Sequence, residues 1–187
     1  SKMKDKFTKK ALNEGYLARS VYKLKDIDKR YKLIKKNMKI LDLGAAPGSW
    51  SEYSRDKGSE VTSVDLNKIN VTGINIINLD IFDKELIKKL KNNYDLILSD
   101  LAPKTIGILN IDNERSYDLC KGALMISKQK LKKNGNFLCK IFQSRFSEKL
   151  LKELKNEFKI VKTIKPEASK KRSKEVYFLG INKLRNP

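Results

Sequence analysis

Histidine is absent from the sequence, and cysteine is scarce, with two residues in 187. Without histidine the chain has no imidazole base, no Ser-His-Asp triad and no histidine-ligated metal, so proton transfer must use Lys, Asp, Glu, Tyr or water. Cys120 and Cys139 each lie in an apolar stretch and form no Cys-x-x-Cys pair. We therefore expect two buried free thiols in a reducing compartment.

Long apolar runs are also missing. No stretch approaches the roughly 18 residues that a membrane span requires, and the first residues lack the apolar core of a signal peptide. We expect an intracellular protein without membrane contact, in the cytoplasm, the nucleus or an organelle such as the mitochondrion. A hydrophobic fraction of 40% over 187 residues, with no repeat and no linker, predicts one domain spanning residues 1–187 and a monomer.

Acidic residues are few relative to basic ones: 22 Asp and Glu stand against 42 Lys and Arg, for a formal charge of +20. Such an excess favours a polyanionic partner, above all nucleic acid. An anionic surface, or a lysine-rich composition without a partner, is the alternative, because the lysines are spread over the whole chain. Residues 1–19 form a basic arm with few apolar anchors, and further basic clusters are Lys35-Lys36, Lys88-Lys89-Lys91, Lys132-Lys133 and Lys170-Lys171-Arg172.

The apolar pattern alternates between strand and helix periods, which predicts an α/β protein. Strands are expected at 39–43, 60–66, 74–79, 94–99, 136–142, 159–164 and 175–182, and helices at 20–31, 50–57, 84–91, 113–133 and 147–157. Ser20 is a plausible N-cap for the first helix. This order predicts a doubly wound, mostly parallel seven-stranded sheet with helices on both faces and a C-terminal antiparallel strand pair. Ligands of such sheets bind at the carboxyl ends of the strands.

A turn of small residues follows the first predicted strand. The segment Asp42-Leu43-Gly44-Ala45-Ala46-Pro47-Gly48-Ser49-Trp50-Ser51 runs from that strand into a helix. Gly44 permits close backbone approach or a positive φ, and Gly48 permits tight packing at the helix start. The segment is neither a P-loop nor a Gly-x-Gly-x-x-Gly turn, which argues against nucleoside triphosphates and nicotinamide cofactors. An ordinary strand–helix turn is the alternative.

Acidic residues fall at or just before the carboxyl ends of four predicted strands: Asp42, Asp65, Asp80 and Asp100. Asp65 is placed to bind both hydroxyls of a ribose, and Asp80 could accept a hydrogen bond from an adenine amino group. Each of these acids alone could instead be a helix N-cap or a solvated carboxylate. Together with the turn at Gly44, they indicate a ligand that contains adenosine.

Several motifs in this order resemble a known family. Asp42 to Ser51 resembles the first motif of the FtsJ/RrmJ-type ribosomal RNA ribose 2′-O-methyltransferases, with Ser49 where the family favours glycine. The resemblance spans roughly residues 14–183. Its other motifs are Arg19-Ser20-Val21-Tyr22-Lys23-Leu24, Ser99-Asp100-Leu101-Ala102-Pro103, Lys140-Ile141-Phe142-Gln143 and Ser173-Lys174-Glu175-Val176-Tyr177.

The resemblance implies a Rossmann-like methyltransferase fold, S-adenosylmethionine as the methyl donor, and a catalytic tetrad of Lys23, Asp100, Lys140 and Glu175. Lys140 is the preferred base, because a cation in an apolar strand needs a partner or a task. In the alternative, both lysines are charged stabilisers of the developing alkoxide. The candidate contacts of the donor are Asp42, Gly44, Ala45, Pro47, Gly48, Trp50, Asp65, Leu66, Asp80, Ile81 and Asp100.

The implied substrate is a uridine ribose in large-subunit ribosomal RNA, with a transfer-RNA anticodon loop as the alternative. The segment 104–113 departs from the family's usual Asn-x-Ser-Gly pattern, which affects the choice of substrate. The run Lys170 to Lys174 and the arm at 4–19, with Phe7, Tyr16 and Arg19, are the candidate RNA contacts.

Rival functions fit the sequence less well. A non-catalytic RNA-binding protein would not require the four tetrad residues, and a small-molecule methyltransferase is disfavoured by the charge of +20. Methylation of an exocyclic base nitrogen typically uses Asp/Asn-Pro-Pro-aromatic, whereas this chain has Asp100-Leu101-Ala102-Pro103. Methylation of pyrimidine carbon 5 uses a cysteine, and neither cysteine lies in a suitable loop.

Overall fold

The computed structural model describes residues 5–187 and contains a seven-stranded sheet flanked by helices. Its elements in chain order are α1 (Lys6–Glu14), α2 (Val21–Tyr31), β1 (Lys39–Leu43), α3 (Ser49–Asp56), β2 (Glu60–Val64), β3 (Asn75–Ile77), α4 (Leu86–Lys89), β4 (Tyr94–Ser99), α5 (Leu109–Lys130), β5 (Leu131–Phe142), α6 (Arg145–Glu157), β6 (Phe158–Ile164) and β7 (Glu175–Lys183).

The strand order is β3-β2-β1-β4-β5-β7-β6. Strands β1 to β5 pair in parallel, and β7 runs antiparallel to both β5 and β6. The predicted doubly wound sheet and its antiparallel C-terminal pair are therefore confirmed. The chain order reverses between β1 and β4, so a ligand crevice is expected at the carboxyl ends of these two strands.

Both faces of the sheet are covered by apolar cores, because alternate strand residues point to opposite faces. On one face Leu41 and Ile97 pack with residues of α4, α5 and α6. On the other face Ile40, Leu96 and Leu98 pack with residues of α2 and α3. All five side chains are fully buried, and each contributes about 1.5–3 kcal/mol of hydrophobic stabilisation. The two layers hold the carboxyl ends of the strands in a fixed arrangement.

The N-terminal segment, predicted as a basic arm with few apolar anchors, forms helix α1 over residues 6–14. The Asp5 carboxylate caps α1 by accepting from the Thr8 N–H at 2.9 Å, and Gly15 ends the helix with a φ of 78°. Phe7 and Ala11, one helical turn apart, pack in a small cluster with Tyr22 and Ala168. Residues 1–4 of the predicted arm lie outside the described residues.

Several further element boundaries differ from the prediction, and those of α4 and α5 have a clear cause. Helix α4 is confined to Leu86–Lys89, because the Asp83 carboxylate accepts from the Glu85 N–H in a turn just before it. Helix α5 begins at Leu109, earlier than predicted. It ends at Lys130 because Leu131 already pairs with Tyr94 in the sheet.

Ser20 precedes α2 as predicted, but its side chain forms no capping hydrogen bond. Its hydroxyl lies 3.1 Å from that of Ser49 instead, so Ser20 links the start of α2 to the start of α3. Among the described residues, no helix has the length and apolar character needed to cross a lipid bilayer.

Candidate active site

The glycine turn after β1 lets the backbone pack closely against neighbouring side chains at the crevice. Gly44 has a φ of 74°, and a Cβ there would lie 2.5 Å from Leu101 Cδ2. Gly48 has a φ of 122°, and a Cβ there would lie 2.5 Å from Val71 Cγ2. Both positions therefore require glycine, for conformation and for space.

A cleft opens beside this turn, at the carboxyl ends of β1, β2 and β4. Five of the predicted donor contacts line it: Gly44, Asp65, Leu66, Asp80 and Ile81. The other lining residues are Val64, Asn67, Leu79, Leu101 and Leu119. Apolar walls with two carboxylates suit the flat, polar-edged shape of a nucleoside. The individual contacts of these residues with a donor stay a prediction.

The two cleft carboxylates are held by neighbouring backbone. Asp65 accepts from the N–H groups of Ala46, at 2.9 Å, and of Asn67, at 2.8 Å. Asp80 accepts from the Phe82 N–H at 2.8 Å. A carboxylate has about four acceptor positions, so both side chains retain the capacity to bind further donors such as hydroxyl or amino groups.

Asp42 lies beneath the turn and is almost completely buried. One carboxylate oxygen accepts from the Ser51 hydroxyl at 2.6 Å, whereas Oδ1 has no hydrogen-bond partner among the described residues. Burial, with a smaller contribution from the Asp100 and Asp65 carboxylates, raises the pKa of Asp42 to about 7, against the effect of Ser51. A buried acceptor without a donor is costly. This acceptor and the backbone of Gly44 in the cleft wall fit a ligand that carries amino groups, as S-adenosylmethionine does.

The remaining turn residues support the cleft rather than line it. Trp50 is buried, its indole N–H donates to the Ser20 carbonyl at 2.9 Å, and its ring lies 5.8 Å from that of Tyr177. Ala45 packs against Ile69 and Val71. The hydrogen bond from Trp50 to Ser20 fixes the start of α2. The Pro47 carbonyl accepts from the Asn70 N–H at 3.2 Å. The structure does not bring these side chains into the cleft.

The four predicted tetrad residues come together next to the cleft. They lie on α2, after β4, on β5 and at the start of β7. Lys23 Nζ lies 3.1 Å from Glu175 Oε2, and Lys140 Nζ lies 3.8 Å from Glu175 Oε1. Lys140 Nζ also lies 3.4 Å from Asp100 Oδ1. Two lysines and two carboxylates therefore form one connected group.

This group is largely shielded from solvent. The Lys140 side chain is 8% exposed, and those of Lys23, Asp100 and Glu175 are 15%, 17% and 22% exposed. Burial acts to raise the pKa of Glu175, but Lys140, Lys23 and Lys165 together bring it below its usual range. Glu175 therefore stays ionised between the two tetrad lysines at neutral pH.

Two neighbours of the tetrad were not found from the sequence. The Tyr177 hydroxyl donates to Asp100 Oδ1 at 2.6 Å, and the Asp100 carboxylate raises the pKa of Tyr177 further above its already burial-raised value. Its position two residues after Glu175, on the same strand face, was the available signal. Lys165 Nζ donates to the Ser173 and Glu175 carbonyls, each at 2.6 Å. In so lysine-rich a chain, nothing in the sequence singles out Lys165.

The cleft and the tetrad meet at β4. Asp100 belongs to the tetrad and the next residue, Leu101, lines the cleft. A methyl donor in the cleft and an acceptor beside Lys140 would thus share one border. The two cysteines are free and buried, as predicted, and the described part of the chain contains no cluster of side chains suited to hold a metal.

Comparison with known proteins extends this picture. The chain is 40% identical to ribosomal RNA large subunit methyltransferase E of Bdellovibrio bacteriovorus, over 96% of this chain and 97% of that protein. It is 41% identical to the protein of the same name from Archaeoglobus fulgidus, over 91% and 92% of the two chains.

A crystal structure assigned as a ribosomal RNA methyltransferase from Plasmodium falciparum superimposes with a TM-score of 0.79. It has 27% identity and covers 90% of this chain and 99% of that one. The Methanococcus jannaschii fibrillarin pre-rRNA processing protein shares the fold alone, with a TM-score of 0.59, 21% identity and coverage of 82% and 70%.

The match of the family model itself covers residues 16–183, which include the glycine turn, the cleft and all four tetrad positions. The resemblance predicted from the motifs is therefore confirmed: the chain belongs to the FtsJ-like methyltransferase family.

Proposed function

We propose that this protein transfers a methyl group from S-adenosylmethionine to the ribose 2′-hydroxyl of a uridine in large-subunit ribosomal RNA. The observation that carries the proposal is the shared border of the cleft and the Lys23–Glu175–Lys140–Asp100 group. The names of the relatives support the RNA class, since proteins about 40% identical over nearly the whole chain are ribosomal RNA large subunit methyltransferases.

The residues of this chain would hold the donor from two sides. Gly44 lines the cleft with backbone alone, and the Asp65 and Asp80 carboxylates offer acceptors to hydroxyl and amino groups. Leu66, Ile81 and Leu101 supply apolar walls. When bound, S-adenosylmethionine supplies a methyl group on a sulfonium sulfur, and this sulfur keeps the bonding electron pair as the methyl leaves.

Lys140 is the proposed base. Its amine takes the proton of the 2′-hydroxyl while the oxygen forms its new bond to the methyl carbon, and general-base help of this kind contributes about 10²–10⁴-fold. Asp100 and Glu175 orient the amine at 3.4 and 3.8 Å. Lys23 pairs with the other oxygen of the Glu175 carboxylate and adds a second positive charge to the group. In the alternative, both lysines stay charged and stabilise the developing alkoxide.

A tritiated-methyl transfer assay tests the proposal. The protein would be offered undermethylated large ribosomal subunits, naked ribosomal RNA and transfer RNA, and the labelled nucleotide would be identified after digestion. We expect label on a uridine ribose of the large-subunit RNA. Label on transfer RNA would support ribose methylation as the reaction but contradict ribosomal RNA as the substrate. Donor binding without label on any of these RNAs would contradict the proposed substrates, and absent donor binding would favour a non-catalytic scaffold.

A further inference from the structure

The N-terminal helix α1 is joined to the loop between β6 and β7 by one side chain. The Arg19 guanidinium donates to the Ala168 carbonyl at 2.6 Å and pairs with the Asp5 carboxylate, which caps α1. Ala168 is buried, and the Arg19 guanidinium also lies over the Phe7 ring, 5.4 Å from its centre. The start of α1 and the first half of the loop are therefore held against each other.

A notch opens between these two segments, and its lining is mainly basic. The lining residues are Asp5, Lys6, Phe7, Arg19, Ala168, Ser169 and Lys170. Three cations and one carboxylate leave a formal charge of +2. The notch also contains the N-terminus of α1, a helix of nine residues, where the positive end of the helix dipole favours an anion beside the capping Asp5 carboxylate.

The Ser169 hydroxyl is a second and independent indication of a binding site in the notch. The residue is 8% exposed, lines the notch, and its hydroxyl is buried without a hydrogen-bond partner among residues 5–187. Buried hydroxyls almost always have a partner, because leaving one unpaired costs about 1–3 kcal/mol. An oxygen-rich anion in the notch would satisfy this hydroxyl together with the lysine ammonium groups.

We propose that this notch binds a phosphate group of the RNA backbone, a contact that rests on the proposed function. Lys170 is five residues before Glu175, at most about 18 Å of extended chain. Arg19 is one helical turn before Lys23. Lys171, Arg172 and Lys174 continue the positive charge along the loop towards the tetrad. A strand that presents its ribose to Lys140 would thus have its flanking backbone near the notch.

The contact is electrostatic rather than a stacking platform. The Phe7 and Tyr16 rings, which could have stacked on bases, pack instead against Tyr22 at 5.7 and 6.1 Å between ring centres. The Arg19 guanidinium is engaged by Asp5 and Ala168. Lys6, Lys170 and the Ser169 hydroxyl are therefore the groups that would hold the phosphate.

Fluorescence anisotropy with a labelled single-stranded RNA of about 20 nucleotides, read over a salt series, tests the notch. Removal of one lysine charge that contacts a phosphate should reduce the slope of log K against log salt concentration by about one. Lys170→Gln should show this loss and weaken binding about three- to tenfold, and Ser169→Ala should weaken it less. Lys89→Gln, an exposed lysine on α4 at the other side of the sheet, is the matched control.

Asp5→Asn separates a phosphate site from a purely structural contact. Asparagine still caps α1, but the notch loses its one negative charge, so RNA binding should tighten about two- to fivefold. Unchanged affinity in Asp5→Asn, together with equal salt slopes for Lys170→Gln and Lys89→Gln, would overturn the proposal. Melting temperatures of all variants verify that they fold.

The anisotropy assay needs no methyl transfer, so the two proposals fail separately. Altered RNA affinity in the notch variants, without methylation of ribosomal RNA, would support the phosphate site and contradict the proposed substrate. Methylation of ribosomal RNA, with unaltered RNA affinity in every notch variant, would support the proposed function and contradict the phosphate site.

Discussion

The cleft and the tetrad share a border, but they are held in place in different ways. In the cleft, most carboxylate partners are near in sequence: Asn67 is two residues from Asp65 and Phe82 is two residues from Asp80, whereas Ala46, the other partner of Asp65, is 19 residues away. In the tetrad, the partners are distant: 152 residues separate Lys23 from Glu175. The cleft carboxylates are thus held by the turns after β1, β2 and β3, whereas the tetrad forms only when α2, β4, β5 and β7 come together.

This difference implies separable effects of substitution. A change in a cleft carboxylate should alter donor affinity and leave the tetrad geometry intact, because none of its hydrogen-bond partners belongs to the tetrad. A change in the tetrad should alter the rate of transfer and leave the donor site intact. The variants below test this division, from the largest expected effect to the smallest.

Lys140→Ala should have the largest effect on the rate. Removal of the proposed base, which lies 3.4 Å from Asp100, should lower single-turnover transfer at least about 10³-fold. Donor affinity by calorimetry should change by no more than a few-fold. Lys140→Arg keeps the charge but cannot accept a proton at neutral pH. Substantial turnover in Lys140→Arg would favour the alternative in which the lysines are charged stabilisers, and turnover in Lys140→Ala would contradict both roles.

Asp42→Asn should have the largest effect on the pH dependence of stability. With its pKa raised to about 7 by burial, Asp42 keeps a proton in the folded chain that the unfolded chain loses near pH 4. The free energy of unfolding therefore falls by at most about 4 kcal/mol as pH rises from about 4 to 7. Above pH 7 the contribution of Asp42 is constant. The variant lacks this loss, so its Tm relative to the parent should rise between pH 5 and 8.

Asp56→Asn is the control for that experiment, because Asp56 is an exposed carboxylate at the end of α3, paired with Arg55. Its Tm relative to the parent should be nearly independent of pH over the same range. If the Asp42→Asn variant showed the same flat behaviour, the raised pKa of Asp42 would be wrong.

The cleft is where the sequence was most informative, and the reason is its local geometry. The turn from Asp42 to Ser51 and the acids after β2 and β3 are defined by neighbours in the chain, so strand ends and glycines suffice to locate them. The strands were found for the same reason, since central ones such as β1, β2 and β4 are short, almost continuously buried runs. The four tetrad positions required the family resemblance, because their spacing in sequence carries no signal of contact.

Features that depend on distant contacts were missed. Helix α1 is stabilised by packing of Phe7 and Ala11 near Ala168, more than 150 residues away, so its own sequence resembles a mobile arm. The end of α5 is set by the pairing of Leu131 with Tyr94, a contact between residues 37 positions apart in the sequence. Lys165 donates hydrogen bonds to the carbonyls of Ser173 and Glu175, which the fold of the β6–β7 loop brings within reach.

Asp65→Ala should weaken donor binding about 10- to 100-fold, because the variant loses the acceptors proposed for the ribose hydroxyls. The rate of transfer at saturating donor should fall much less. Calorimetry with S-adenosylmethionine gives the affinity, and Asp83→Ala, outside the cleft lining, is the control. Unchanged affinity in Asp65→Ala would refute its role, and an equal loss of rate and affinity would refute the division between cleft and tetrad.

Tyr177→Phe should have the smallest effect and tests how far the tetrad depends on its surroundings. The variant removes one hydroxyl, which donates to Asp100 at 2.6 Å, and leaves the ring packed near Trp50. Loss of one hydrogen bond to a charged group corresponds to about 1.5–3 kcal/mol at most. Because Lys140 and the Asp100 backbone still constrain the carboxylate, kcat should fall only about three- to tenfold. KM for the donor should stay constant, since the tyrosine does not line the cleft. A rise in donor KM with constant kcat would show that Asp100 serves the cleft rather than the tetrad, and the border between the two regions would have to be redrawn at that residue.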